Sequence, residues 1–213
     1  MPFINYNSQN INFVHIPKTG GTTVEVWLGA LAPLRFKTTG VPAALKYTPQ
    51  HFTYTDLRTI FGEDFFHYSF CIVRNPYERF ASEYRMQHIL GQRGFWKAFE
   101  SFPAWVETVT QQLRNQPWML DAHLRPQWQF VSNAVNVFKY EDGLETILKR
   151  VAKVNSLPPL TTPLPRHTDS EAFTGKVVWD TKEIETVRAL YQRDFDIFGY
   201  DIDRVPGSEA PVK

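Results

Sequence analysis

The sequence predicts an α/β fold around a central, mostly parallel sheet, and three observations carry that prediction. Short apolar runs alternate with helical periodicity along the whole 213-residue chain. The runs at 11–16, 66–74 and 136–140 are apolar enough to be buried on both faces. Each is followed by a turn and then a helical pattern, the arrangement that returns a parallel strand to its sheet. All three are therefore expected to be central strands.

The elements follow in order. "INFVHI" (11–16) is the first strand, and the glycine pair behind it opens a helix over 20–29. Thr53 with Asp56 caps a helix over 54–61. "FHYSFCIVR" (66–74) is the second strand; Asn75 as N-cap, Pro76 at the first helical position and Glu78 three residues after the cap fix a helix over 76–90. From about 91 to 126 the chain is rich in aromatics, and Phe95, Phe99, Phe102 and Trp105 fall at helix-core spacing, so this stretch is expected to be a helical excursion beside the site. "NVFKY" (136–140) is the third strand, with a helix over 141–154. Residues 155–175 carry four prolines and no periodicity, which predicts a long loop. A helix over 181–195 closes the chain. No internal repeat or composition break divides it, so residues 1–213 are expected to form a single domain.

Composition narrows the function classes. At 43% hydrophobic and 15% aromatic the chain is globular rather than disordered or fibrous. Lys plus Arg (23) balance Asp plus Glu (22), so no overall field draws the protein to nucleic acid or an anionic membrane, and any anion site must be local. Cys71 is the only cysteine and no Cys/His cluster has metal-ligand spacing, so neither a disulfide nor a metal is expected. The N-terminus lacks the pattern of a signal peptide, and no run of about 18 apolar residues offers a membrane span. The expected setting is the cytoplasm.

The stretch with the most chemistry is "INFVHIPKTGGTT", Ile11 to Thr23. A buried strand, two glycines and a helix start bring backbone N–H groups to one point where the helix dipole favours an anion. Lys18 adds a full charge, and Thr19, Thr22 and Thr23 offer hydroxyls. The nucleotide-triphosphate loop pattern places its lysine after the last glycine, whereas here Lys18 precedes Gly20 and Gly21, and no strand end supplies an aspartate suited to hold Mg²⁺. Further on, Arg74 ends the second strand and Ser82 stands about two turns into the following helix; both can face the crevice outside the sheet, where α/β proteins bind ligands.

These motifs carry a resemblance. "HIPKTGGTT" resembles the 5′-phosphosulfate loop, and "IVRNPYERFASEY" the 3′-phosphate motif, of carbohydrate sulfotransferases, in particular the group similar to heparan sulfate 2-O-sulfotransferase and its bacterial relatives. "YTPQHFTYTDLRTIFG", "AHLRPQWQFV", "FKYED" and "LYQRDFDIFGY" resemble further family segments, and 91–118 matches least. The resemblance implies a P-loop-like three-layer α/β/α domain, 3′-phosphoadenosine 5′-phosphosulfate (PAPS) as donor, adenosine 3′,5′-bisphosphate (PAP) as product, and transfer without a metal to an acceptor hydroxyl, a sugar hydroxyl being the leading expectation and a small alcohol, a phenol or a lipid headgroup staying open. It implies that Lys18 and the N–H groups of Thr19, Gly20, Gly21, Thr22 and Thr23 hold the 5′-phosphosulfate. Arg74 and Ser82 then hold the 3′-phosphate, and Arg166 with His167, in the 155–175 loop, closes over the adenosine or its 3′-phosphate. With no export signal apparent, a cytoplasmic bacterial enzyme is expected.

His51, just ahead of the Thr53 cap, is the expected general base for the acceptor hydroxyl. His123, Arg125 and Gln127 are expected at the substrate site. His15 is expected to be a satisfied core histidine, Glu25 a helix-surface carboxylate and Cys71 an inert core residue. Two other readings stay open: a nucleoside-triphosphate-dependent kinase with an atypical loop, and a noncatalytic module binding a nucleotide or sulfated glycan.

Overall fold

A computed structural model describes residues 2–37, 40–95, 99, 101–160, 164 and 177–206. The described residues form a four-stranded sheet in the order β1-β2-β3-β4, with β1 (Phe3–Tyr6), β2 (Gln9–Val14), β3 (Tyr68–Val73) and β4 (Asn136–Lys139). β1 runs antiparallel to β2; the β2–β3 and β3–β4 pairs are parallel. The expected mixed α/β class with a mostly parallel sheet is the one found. The helices are α1 (Gly21–Leu31), α2 (Tyr54–Phe61), α3 (Pro76–Gln92), α4 (Phe102–Leu113), α5 (Leu144–Val154) and α6 (Thr181–Phe198).

Two expectations need correction. β1 was not anticipated: Asn7 and Ser8, both at positive φ (48° and 64°), turn the chain in a two-residue hairpin and add an antiparallel edge strand. β4 is not a central strand buried on both faces but the opposite edge, and its Asn136 and Val137 are exposed. The helix starts fall where their caps put them. Thr53 and Asp56 close a reciprocal capping box on α2, with Thr53 Oγ1 accepting from the Asp56 N–H at 3.1 Å and Asp56 Oδ2 accepting from the Thr53 N–H at 2.7 Å. On α3 the Asn75 side chain accepts from the N–H groups of Tyr77 and Glu78.

The chain divides into two compact units. The first comprises Met1–Arg74, Asp121–His123 and Gln129–His167 and contains the sheet. Ile4, Ile11, Phe13, Phe70 and Ile72 on one sheet face pack with Val24, Trp27 and Leu28 of α1 and Ile147, Leu148 and Val151 of α5. The alternate residues Val14, Cys71 and Val73 are buried too, as a two-sided strand requires. Because β2, β3 and β4 are parallel, their carboxyl ends meet at one edge, and the loops that follow β2 and β3 leave from there.

The second unit comprises Asn75–Leu120, Leu124–Trp128 and Thr168–Lys213. Its core joins Tyr77, Phe80 and Tyr84 of α3, Phe102, Trp105 and Val109 of α4 and Val187, Tyr191 and Phe195 of α6. Of the aromatics at helix-core spacing in the predicted excursion, Phe102 and Trp105 enter this core, whereas Phe99 lies ahead of α4 and is only partly buried, and Phe95 is exposed. Buried polar groups pin α6: the Asp194 carboxylate accepts the N–H groups of Gln127 and Trp128, both at 2.9 Å, and the Tyr191 hydroxyl donates to the Leu124 carbonyl at 2.9 Å.

Candidate functional site

The glycine loop begins where β2 stops. The Ile16 N–H returns to the Val14 carbonyl at 3.0 Å, and the Thr19 hydroxyl donates to the Ile16 carbonyl at 2.8 Å, which folds the loop back on the strand end. That spends the Thr19 hydroxyl proton, so Thr19 can serve an anion through its backbone N–H but not as a hydroxyl donor. Lys18 (φ 70°) and Gly20 (φ 86°) are both left-handed, and Gly20 is the N-cap of α1 with no side chain capping the helix. Left-handed residues beside an uncapped helix N-terminus make a concavity of backbone N–H groups suited to an anion. Thr22 is exposed and Thr23 buried.

Both glycines are needed for reasons of space. A Cβ at Gly20 would sit 2.9 Å from Leu144 Cδ1 and 3.1 Å from Tyr140 Cε2, and one at Gly21 only 1.9 Å from His15 Nε2. Arg74, leaving the end of β3, brings its Nη1 to 3.4 Å from the Lys18 carbonyl and lays its guanidinium 4.6 Å from the centre of the Tyr140 ring. The Lys18 loop, Arg74 and Tyr140 therefore share the carboxyl edge of the sheet, as the sequence expected of Lys18 and Arg74.

Behind the loop lies a buried pair. His15 Nδ1 meets Glu25 Oε1 at 2.6 Å, and Glu25 is also bound by Lys37 Nζ (3.1 Å) and Gln50 Nε2 (2.7 Å). His15 is the expected satisfied core histidine. Glu25, however, is 2% exposed and is no helix-surface carboxylate: its place on α1 turns it inward to meet His15. Burial pushes the Glu25 carboxyl up, but the bonds from His15 and Lys37 outweigh it and hold the pKa at about 2. Burial lowers the His15 pKa despite its Glu25 partner. The result is a neutral imidazole donating to a carboxylate.

A second histidine–carboxylate pair stands beside the first, with the His15 and His51 rings edge to face at 5.2 Å. His51 ends a 3₁₀ turn, Pro49–His51, and is 5% exposed. Its Nδ1 lies 2.8 Å from Asp121 Oδ2 and 3.0 Å from the Asp121 carbonyl oxygen. Both neighbours only accept, so Nδ1 carries the proton and Nε2 the lone pair. Burial, with Coulomb repulsion from His123 and His15, lowers the His51 pKa to about 4 even against the Asp121 bond; Asp121, pushed up by burial but held by His51 and Thr48, falls to about 2. His51 is thus a neutral imidazole at pH 7.

Sequence reasoning missed Asp121 and the device that presents it. Leu120, Asp121 and Ala122 all have positive φ (53°, 55° and 61°), a left-handed run of non-glycine residues that costs about 1–2 kcal/mol per residue. Thr48 secures it: its N–H donates to Asp121 Oδ1 at 2.6 Å and its hydroxyl to Oδ2 at 2.7 Å. The sequence held only one signal for Asp121, its place two residues before His123. Strain of this kind, held by surrounding bonds, is characteristic of functional sites.

The remaining expected residues are distributed as follows. His123 stacks edge to face on His51 at 4.8 Å, within the first unit. Arg125, in the second unit, lays its guanidinium 5.0 Å from the Trp118 ring centre and gives its carbonyl to Arg79 Nη2 at 2.9 Å. Gln127 is completely buried in that unit, on the Asp194 network. Ser82 is half-buried on α3, also in the second unit. Arg166 and His167 lie outside the described residues. Among the described residues, His51, Asp121 and His123 form a group able to hold a metal ion, with one ligand atom from each lying within 4.8 Å of the others.

Comparison with known proteins adds one finding. The model of a family described as the sulfotransferase family matches residues 2–201, nearly the whole chain. No curated protein and no solved structure matches it.

Proposed function

Since the chain belongs to the sulfotransferase family, transferases that move a sulfuryl group to an acceptor hydroxyl, we propose that its donor is PAPS, its acceptor a carbohydrate hydroxyl and its general base His51. The observation that carries this reading is the His51–Asp121 bond of 2.8 Å, which leaves Nε2 as a lone pair for the acceptor proton.

The residues of the loop fit the anionic end of such a donor. Lys18, the uncapped start of α1 and the two glycines with no room for a side chain make a cradle for a phosphosulfate. Bound there, PAPS supplies an activated sulfuryl group and PAP as the leaving group. The chain's own part is to hold the donor, to place positive charge from Lys18 and the helix terminus where the leaving oxygen gains negative charge, and to take the acceptor proton at His51 Nε2. These cations do that work without calling on a metal. Arg74, bound to the loop at the Lys18 carbonyl, extends the positive edge toward the donor. Ser82 is assigned to the 3′-phosphate on the strength of its motif alone and Arg166 to the adenosine or its 3′-phosphate on its place in the 155–175 loop, and His123, beside His51, is our leading contact for the acceptor.

Thermal melting tests the donor: PAP at saturating concentration raises the melting temperature, and ATP with Mg²⁺ does not. The reverse preference would favour the kinase reading. Labelled PAPS offered to a panel of sugars, phenols and small alcohols tests the acceptor, with label on a sugar expected. His51→Ala tests the base, with transfer lost and PAP binding kept; binding of PAP without transfer by the unaltered chain to any acceptor would favour the noncatalytic module.

A further inference from the structure

We propose that His51, Asp121 and His123 form a site for a divalent transition-metal ion of the zinc class, and that filling it switches the transfer reaction off. The site rests on geometry alone; the switch rests on the reading of His51 as base.

Two imidazoles and a carboxylate, each offering one ligand atom within 4.8 Å of the others, make a nitrogen-rich set that suits Zn²⁺ rather than Mg²⁺ or Ca²⁺. With Zn–N and Zn–O bonds of about 2.0–2.2 Å, ligand atoms on one ion stand about 3.3–4 Å apart, so His51 Nδ1 and Asp121 Oδ2, now 2.8 Å apart, must open slightly while any pair near the 4.8 Å limit closes in. Three protein ligands also leave an open position for water or an acceptor oxygen. The outer shell is already built. Thr48 fixes both oxygens of Asp121 through bonds of 2.6 and 2.7 Å, the kind of support that orients a metal-binding carboxylate. The strained turn at 120–122 delivers Asp121 and, directly after it, His123 to the same place. The Asp121 carbonyl, 3.0 Å from His51 Nδ1, offers a further oxygen. Asp121 and His123 are only partly buried, which leaves an ion a route in.

The consequence for the base follows from counting protons. A neutral imidazole carries one N–H, now on Nδ1 and aimed at Asp121. An ion bound at Nδ1 takes that nitrogen's lone pair and displaces its proton, and the ring stays neutral by carrying a proton on Nε2 instead. No net proton is gained or lost by the ring. The lone pair that would accept the acceptor's proton is gone.

Titration of the full chain with Zn²⁺ in a calorimeter, and with Co²⁺ followed by visible absorption, tests the site. One ion per chain is expected, with the intense Co²⁺ bands of a four- or five-coordinate site. His123→Gln and Asp121→Asn should each weaken binding by at least about 10–100-fold, the cost already seen for outer-shell partners. The wild-type Co²⁺ spectrum decides the matter even if a variant folds poorly: weak octahedral bands, or no binding, overturn the site, as does full affinity in two folded variants. In the transfer assay Zn²⁺ should inhibit and a chelator should restore activity. Binding without inhibition overturns the switch and leaves the site. If His51→Ala transfers normally while the wild type still binds the ion, it is the base assignment that has failed.

Discussion

His51 Nδ1 lies 2.8 Å from Asp121 Oδ2, and the carboxylate reaches it from a left-handed turn held by Thr48. The pairing sets which ring nitrogen is basic. Asp121→Asn presents an amide whose N–H₂ can donate to Nδ1 and so favours the other tautomer. We expect turnover to fall by about 10²–10⁴-fold, the usual worth of a general base, with the PAP-induced melting shift unchanged. Normal turnover would remove the pairing from catalysis.

Lys18 is the one full charge within the glycine loop, set at a φ of 70° that lysine rarely adopts. Lys18→Ala should lower turnover by about 10²–10³-fold, the scale for one preorganised donor. Single-turnover kinetics at saturating donor separate this from weaker binding: the chemical step itself must slow.

Gly21 has no room for a methyl group because His15 Nε2 occupies the position. Gly21→Ala should destabilise the protein by about 1–3 kcal/mol through overpacking. A double-mutant cycle provides the check. In a His15→Ala background the same substitution should cost much less, and additive effects would place the clash elsewhere.

Acid should lower the stability of the protein across two pH windows. His15, with its pKa depressed from 6.5, lends stability that is lost as pH falls below about 6.5; Glu25, depressed from 4.5 to about 2, lends stability present above 4.5 and lost between about 4.5 and 2. In both cases the unfolded chain binds the proton first, so stability rises with pH across these windows. Denaturant midpoints at a series of pH values measure this. Asp121, depressed from 3.8 to about 2, shares the lower window, so Glu25→Gln should reduce the slope there without abolishing it, and an unchanged slope would assign the acid sensitivity to other carboxylates.

Much of this was legible in the sequence, and the parts that were not share a cause. Helix starts at Thr53 and Asn75 were readable because a cap is a local bond between residues three apart. The glycine loop was readable because helix-terminus chemistry is set by near neighbours. β1 escaped because Asn-Ser is a weaker hairpin signal than Asn-Gly. β4 looked central because its apolar residues report propensity, whereas edge position is decided by which strand lies beyond it. Glu25 looked like a surface residue because its partners, Lys37 and Gln50, come from 12 and 25 residues away. Asp121 was invisible for the same reason: it meets His51 across a separation of 70 residues.

The left-handed run at Leu120–Ala122 bears on any effort to make this enzyme sturdier. A glycine at Leu120 or Ala122 would adopt the same backbone without the left-handed strain a Cβ brings, whereas at Asp121 it would lose the bonds to His51 and Thr48, so selection for heat tolerance has a gain to find at the two flanking positions. That gain would come at the segment that aims Asp121 and His123. Libraries screened on melting temperature alone should therefore enrich these substitutions together with sluggish catalysts, while libraries screened on turnover should leave the run untouched.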